Sequence, residues 1–393
     1  MTDLAGRRLV HLTTTDADLA LELGPQLRAF ADAGMDVIGV SAPGPFVGRL
    51  ADLGIRHVAL RHPTRSGSVA DDLFAVVELT RLFRSLRPDI VHTHRHQPGL
   101  VGRVVARATG VPGIVNTVHG LSAPPGDHLS HRAVAYGIER LAATCSRFEL
   151  VRSPDDLALL ARLGVPADRL VLLGDGVDVQ RFQPRRTSAD IARARAALGV
   201  GPSAVVAGTV GRLVWQEGFR ELFAAASRMR DVRPEVVFAV VGPEDDAGGD
   251  PLDPDDLAAA TALGNVVFTG HRDDVADLYP GFDVFVLPSS CQSVPRSAME
   301  AAASGLPVVA GDTRGCRQVV DPGGTGLLVP LHDVDALVAA VADLAGDPAT
   351  RGTMGARSRA KAEAEFDEQQ VIRTTLDVYR RLPARRSGRT GPA

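Results

Sequence analysis

Short apolar runs alternate with amphipathic stretches along the first half of the chain. Residues 9–12, 37–40, 89–92, 113–117, 149–151 and 170–173 are apolar runs of strand length, and 19–33, 69–86, 100–108 and 130–143 repeat apolar positions at helical spacing. This βαβα rhythm predicts a parallel, doubly wound sheet, because parallel strands need crossover connections and helices then cover both faces.

The rhythm restarts after a polar, Arg-rich stretch. Apolar runs at 204–210, 236–241, 266–268, 284–287 and 308–310 predict a second sheet of the same kind. The expected organisation is a Rossmann-like domain over 1–185, a joint near 184–200, a second Rossmann-like domain over 200–368, a closing helix over 369–383 and a flexible tail over 384–393. A chain of 393 residues exceeds what one core usually organises, which agrees with two domains. Open α/β sheets bind ligands at the carboxyl ends of their strands, so functional residues are expected there, facing a cleft between the domains.

Composition narrows the function by exclusion. A net charge of -4 with 23% charged residues gives no broad basic field for nucleic acid. Cys145, Cys291 and Cys316 are unevenly spaced and form no Cys-x-x-Cys, so neither a disulfide framework nor a zinc knuckle is supported and a reducing cytoplasm is expected. The amino terminus lacks the apolar core of a signal peptide, and no apolar run reaches membrane-spanning length, so no integral membrane contact is expected.

Two segments carry the candidate chemistry, residues 210–219 and 288–310. In the second, Pro288-Ser-Ser ends a strand and Pro295-Arg-Ser-Ala-Met-Glu300 begins a helix, so free backbone N–H groups and a positive dipole end are presented to an anion. Glu300 can accept from two adjacent hydroxyls. His92, His94 and His96 alternate along a strand end, which would put three imidazoles on one face as a metal site has them. No carboxylate or Cys is tied to them by spacing, and no metal is expected. Asp16-Ala-Asp18 and Asp253-Pro-Asp255 read as caps or turns.

These two segments resemble the donor-diphosphate and donor-sugar segments of family-4 retaining glycosyltransferases of the GT-B architecture. Asn116-Thr-Val-His119-Gly, Gly174-Asp-Gly-Val-Asp178 with Phe182, and Gly270-His271-Arg272 resemble further segments of that family, so the likeness covers about residues 8–380. The chain departs from the family pattern at Glu217, where a Lys is usual, at Gln292, where a Glu is usual, and at Ser293, where a Gly is usual.

The resemblance implies a GT-B fold with an amino-terminal acceptor domain and a carboxy-terminal donor domain. It implies metal-independent transfer of a sugar from a nucleoside diphosphate donor, UDP- or GDP-linked, to a small-molecule or glycan acceptor, by front-face substitution with retention. By this likeness Arg212 holds the diphosphate, Gln292 contacts the donor sugar, His119 stands beside the reacting carbon, Glu300 grips the ribose, and His271 with Arg272 lies near the base. Glu217, Ser293 and Val294 complete the donor-binding set, with Glu217 turning outward, pairing with Arg220 or meeting a cationic substrate group. The altered positions point to an unusual acceptor, such as a thiol, in specialised metabolism. An inactive nucleotide-sugar binding protein, and a sugar-nucleotide epimerase or hydrolase, are the alternatives.

Overall fold

The structure, a computed structural model, describes residues 3–62, 69–121, 129–184, 187–243, 250–291 and 293–384. The chain divides into two compact units, Met1–Gly174 with Val371–Ala393, and Asp175–Gln370. Each is built on one parallel sheet of the Rossmann kind.

The first sheet has seven strands, β1 (Arg8–Leu12), β2 (Asp36–Ser41), β3 (Arg56–Ala59), β4 (Ile90–His94), β5 (Gly113–Val118), β6 (Phe148–Val151) and β7 (Leu170–Leu172). Their spatial order is β3-β2-β1-β4-β5-β6-β7, so the winding reverses between β1 and β4. Past the half-buried Arg8, the central strands are buried throughout, as helices on both faces of a parallel sheet require.

The second sheet has six strands, β8 (Val205–Val210), β9 (Val236–Val241), β10 (Val266–Phe268), β11 (Val284–Leu287), β12 (Val308–Gly311) and β13 (Gly326–Val329). Their order β10-β9-β8-β11-β12-β13 reverses between β8 and β11. Such a reversal leaves a crevice at the carboxyl ends of the two strands, where the outgoing connections part to opposite faces.

The stretch 184–200, read as a joint, contains the helix Ser188–Leu198, which belongs to the second unit. The Thr187 side chain accepts from the Asp190 amide to cap it, Gly199 at φ 73° ends it, and Ala194 and Leu198 are buried along one side. The closing helix, Glu368–Arg380, returns the chain to the first unit, where Ile372, Val378 and Tyr379 join the core around Leu9, Phe30, Ile90 and Phe148. The expected tail lies outside the described residues from 385 onward.

Candidate functional site

In the second unit the two motif segments meet at the reversal point. Strand β8 ends at Val210, and the chain turns through Gly211 and the exposed Arg212 into a short 3-10 turn, Trp215–Glu217, before the helix Phe219–Val232. Gly218 sits at φ 86°, and a Cβ there would lie 2.4 Å from the Pro288 carbonyl oxygen. Only glycine lets this turn close on the loop after β11. The Ser289 hydroxyl then donates to the Gln216 carbonyl at 3.2 Å, tying the two loops together. On the other side, a Cβ at Gly315 would meet the Ser293 carbonyl oxygen at 1.9 Å, so that loop is held between two glycine contacts.

The helix Arg296–Ala303 follows this loop, and Pro295 at its start supplies no side-chain cap. Its first N–H groups therefore remain available to an anion. Glu300, one turn further on, is buried and accepts from the Tyr279 hydroxyl at 3.0 Å and from Arg296 Nε at 3.1 Å. Burial pushes its carboxyl above the usual range, although the Arg296 charge pulls the other way. Each carboxylate oxygen holds one protein partner and keeps a second lone pair.

Glu217 is half-buried, with its side chain 3.9 Å from a Cβ built on Gly211. Its carboxylate thus lies beside the backbone that presents Arg212. Arg220, the expected partner, instead stacks over the Trp215 ring at 4.1 Å and pairs with Asp250 at 3.9 Å. Ser293 is exposed and its hydroxyl lies 3.0 Å from Cys291 Sγ, while Val294 is half-buried. Gln292 falls outside the described residues. His271 and Arg272 follow Gly270 on the loop after β10, where His271 stands 3.6 Å from Asp273 and Arg272 donates to both oxygens of Asp274 at 2.7 and 2.6 Å.

In the first unit, the reversal point lies where β1 and β4 end. Arg95, in the left-handed region at φ 68°, breaks β4 and starts the helix His96–Ala108. His96 is consequently exposed, with Glu139 3.7 Å away, and does not join His92 and His94 as the alternation predicted. Their third partner is His11, because the parallel register sets His11 of β1 opposite His92 of β4 and so on the same face. Candidate ligand nitrogens of His11, His92 and His94 lie within 4.8 Å of one another, but all six of their ring nitrogens are engaged in hydrogen bonds. A metal would have to displace part of that network.

Arg95 also donates to Asp18 and to Glu22, at 2.7 Å each, pinning the loop after β1. Asp18 in turn accepts from the Thr15 amide, and Asp253 caps the helix Pro254–Thr261, so both Asp-x-Asp pairs serve local structure. His119 stands just past β5. Its Nδ1 accepts from Arg152 at 2.7 Å, and its Nε2 lies 3.2 Å from His94 Nδ1. Burial holds both imidazoles well below the ordinary histidine value, and the charges of Arg152 and Arg95 act in the same direction.

Comparison with known proteins identifies what this scaffold serves. Residues 204–347 match the model described as "Glycosyl transferases group 1", and residues 21–176 match that of "Glycosyl transferase 4-like domain". The D-inositol 3-phosphate glycosyltransferase of Kribbella flavida is 32% identical over 308 residues, covering 74% of this chain and 71% of its own. The chain belongs to the family-4 glycosyltransferases. The UDP-Gal:alpha-D-GlcNAc-diphosphoundecaprenol alpha-1,3-galactosyltransferase of Escherichia coli is 29% identical over 343 residues, 86% of each chain. Among solved structures, Anabaena HepE in complex with UDP and glucose superposes with a TM-score of 0.77 at 20% identity, covering 95% of this chain and 99% of that one, and shows the GT-B fold.

The glycosyltransferase moves a sugar from a nucleotide-linked donor to an acceptor. Among the described residues, no helix is long and apolar enough to cross a membrane. Sequence reasoning missed Arg152, Arg95, His11 and Tyr279, each of which acts through a partner distant along the chain. The only local signal was that Arg152 directly follows a strand-length run and Arg95 stands shortly after another.

Proposed function

We propose that this glycosyltransferase transfers a hexose from a UDP-linked donor, with retention and without a metal, to a hydroxyl of a phosphate-bearing acceptor. The observation that carries the donor half is the uncapped helix Arg296–Ala303 with Arg212 at the neighbouring strand end, both at the reversal point of the second sheet. Charge accumulates on the leaving diphosphate in the transition state, and fixed N–H dipoles with a guanidinium stabilise it more there than in the ground state. As the anomeric C–O bond breaks, the departing oxygen takes the acceptor's proton and the acceptor oxygen bonds to the same face. No protein nucleophile is needed. Glu300 takes the ribose hydroxyls on its remaining lone pairs, and His271 with Arg272 lies near the base. Gln292 contacts the sugar, and His119 adjoins the reacting carbon.

The metal-free reading is supported by how the candidate carboxylates are used: Asp18 is held by Arg95 and Asp253 by its own helix. UDP is favoured because the Escherichia coli relative is named for UDP-Gal and the Anabaena structure holds UDP. A phosphate-bearing acceptor is favoured because both sequence relatives are named for one. The thiol acceptor has no counterpart in those names.

Calorimetry with UDP, GDP, ADP and dTDP is expected to show UDP binding most tightly. Arg212→Ala should lower kcat/KM by about a hundredfold or more, the usual effect of removing one transition-state charge donor. UDP binding without consumption of UDP-galactose or UDP-glucose, with or without inositol phosphate or a lipid diphosphate sugar, would make the protein a binding module instead. Glu217 gives a second test. Two unit charges about 5 Å apart at an effective dielectric near 20 interact by about 3 kcal/mol, and half-burial screens part of that. Glu217→Lys is expected to tighten UDP at least tenfold; weaker binding would mean that the acid contacts the donor favourably.

A further inference from the structure

We propose that Arg152 sets the direction of a buried chain of hydrogen bonds through four imidazoles, and so fixes His119 as an uncharged ring carrying its proton on Nε2. A guanidinium donates and never accepts. Because Arg152 reaches His119 Nδ1 at 2.7 Å, that nitrogen must carry the lone pair and Nε2 the proton.

Every later step then has one solution. His119 Nε2–H donates to His94 Nδ1 at 3.2 Å, which leaves the His94 proton on Nε2, and that N–H donates to His11 Nδ1 at 2.9 Å. The His11 proton is then on Nε2 and goes to the Tyr379 oxygen at 3.1 Å. The tyrosine hydroxyl donates onward to His92 Nδ1 at 2.5 Å, and His92 Nε2–H donates to the Thr117 hydroxyl oxygen at 2.7 Å. All four rings come out neutral and of one tautomer, with no donor facing a donor.

The same atoms could hold the opposite polarity. Hydroxyls of Thr117 and Tyr379 both donate and accept, and a neutral imidazole serves either way, so running the chain from Thr117 would move every histidine proton to Nδ1. Only the Arg152 end is committed. Arg152 is therefore a positioning residue for His119, and its influence reaches His92 through the closing helix that carries Tyr379.

One chemical consequence follows. With its lone pair aimed at a cation and its N–H directed inward, His119 gives a bound hydroxyl no proton acceptor, and the leaving diphosphate has to serve as base. That consequence rests on the proposed function. The polarity itself is measured with no substrate present, so the two readings fail separately.

Nitrogen NMR of the full chain, labelled with 15N-histidine and held at pH 7 without added metal, tests the proposal. His11, His92, His94 and His119 are each expected as the neutral Nε2–H form. Arg152→Met should shift a large fraction of His92 toward Nδ1–H, whereas Arg152→Lys, also a pure donor, should keep the native pattern. In a Tyr379→Phe background the bridge is cut, and Arg152→Met should no longer change His92. A native spectrum with any of the four rings as Nδ1–H or as imidazolium overturns the proposal without recourse to a variant. So does a His92 signal indifferent to Arg152→Met, or stoichiometric Zn²⁺ bound to the native rings.

Discussion

The protein is expected to unfold as the pH falls from about 5 to about 4, losing stability at up to about 4 kcal/mol per pH unit below the ordinary histidine range. His11, His92 and His94 are fully buried. Burial lowers His11 to about 3 and holds His92 and His94 well below their ordinary value. Charge repulsion adds to this, from His94 and His11 on His92, and from His11, His119, Arg95 and Arg152 on His94. His119, at the half-buried end of the same network, is held low as well and adds to the slope, whereas Tyr379, buried with its pKa raised well above the ordinary value, stays neutral.

The sign follows from proton counting. Below about pH 6.5 the unfolded chain protonates His119 and three fully buried imidazoles that the folded chain keeps neutral, so the unfolded state binds more protons and acid favours it. Stability is complete above that pH and falls as the pH drops toward the folded values. The three fully buried rings alone cost at most about 6 kcal/mol at pH 5, against a total of about 5–15 kcal/mol for an ordinary domain. Buried Glu149 and Glu300 act in the opposite sense, since burial raises their carboxyls, but each contributes only between its unfolded and its folded value. Urea titrations at pH 7, 6 and 5 measure the slope. His94→Gln, which removes one titrating ring, should flatten it by about a quarter to a third, and equal midpoints at pH 7 and pH 5 would defeat the prediction.

That cluster marks where the sequence stopped being legible. The runs that became β1, β4, β5, β8 and β11 were readable because strands buried on both faces are rich in apolar residues, although β4 ends in His92, Thr93 and His94. Strand β3, Arg-His-Val-Ala at the sheet edge and only partly buried, carries no such run. The helix Ser188–Leu198 was hidden because Ala194 and Leu198 are its only buried positions, although Thr187-x-x-Asp190 and Gly199 mark its two ends. His92 and His94 stood out by alternation. His11 did not, since only the strand register sets it opposite His92, and His96 misled because the backbone at Arg95 leaves the strand. In the donor half the motif glycines were visible, but the close approaches of Gly218 and Gly315 to the β11 loop arise from packing between distant segments.

Arg103→Met is expected to cost about 3–5 kcal/mol of stability, the range for removing one partner from a buried ion pair. Arg103 is fully buried, with Nε donating to the Gly99 carbonyl at 2.7 Å, one terminal nitrogen to Glu149 at 2.9 Å and the other to Glu139 at 2.7 Å. Asn116 donates to the second oxygen of Glu149 at 2.7 Å and accepts from Thr93 at 2.8 Å, which couples the triad to the strand leading to His119. One cation thus serves two carboxylates. Burial opposes charge on both, yet the His96 and Arg103 contacts outweigh it at Glu139 and keep that carboxyl low, whereas burial prevails at Glu149. With the guanidinium gone, the folded state can relieve the repulsion only by taking up a proton, which the unfolded chain releases near its ordinary carboxyl value. The folded variant then binds more protons than the unfolded one, so its deficit relative to the native protein should shrink as the pH falls from 8 to 6. Adding Glu149→Gln removes the charge that Arg103 balanced and should recover part of the loss in a double-mutant cycle measured by urea unfolding. A deficit below about 1 kcal/mol, or one that grows toward pH 6, would show that the triad is not what ties β5 to the helices beside it.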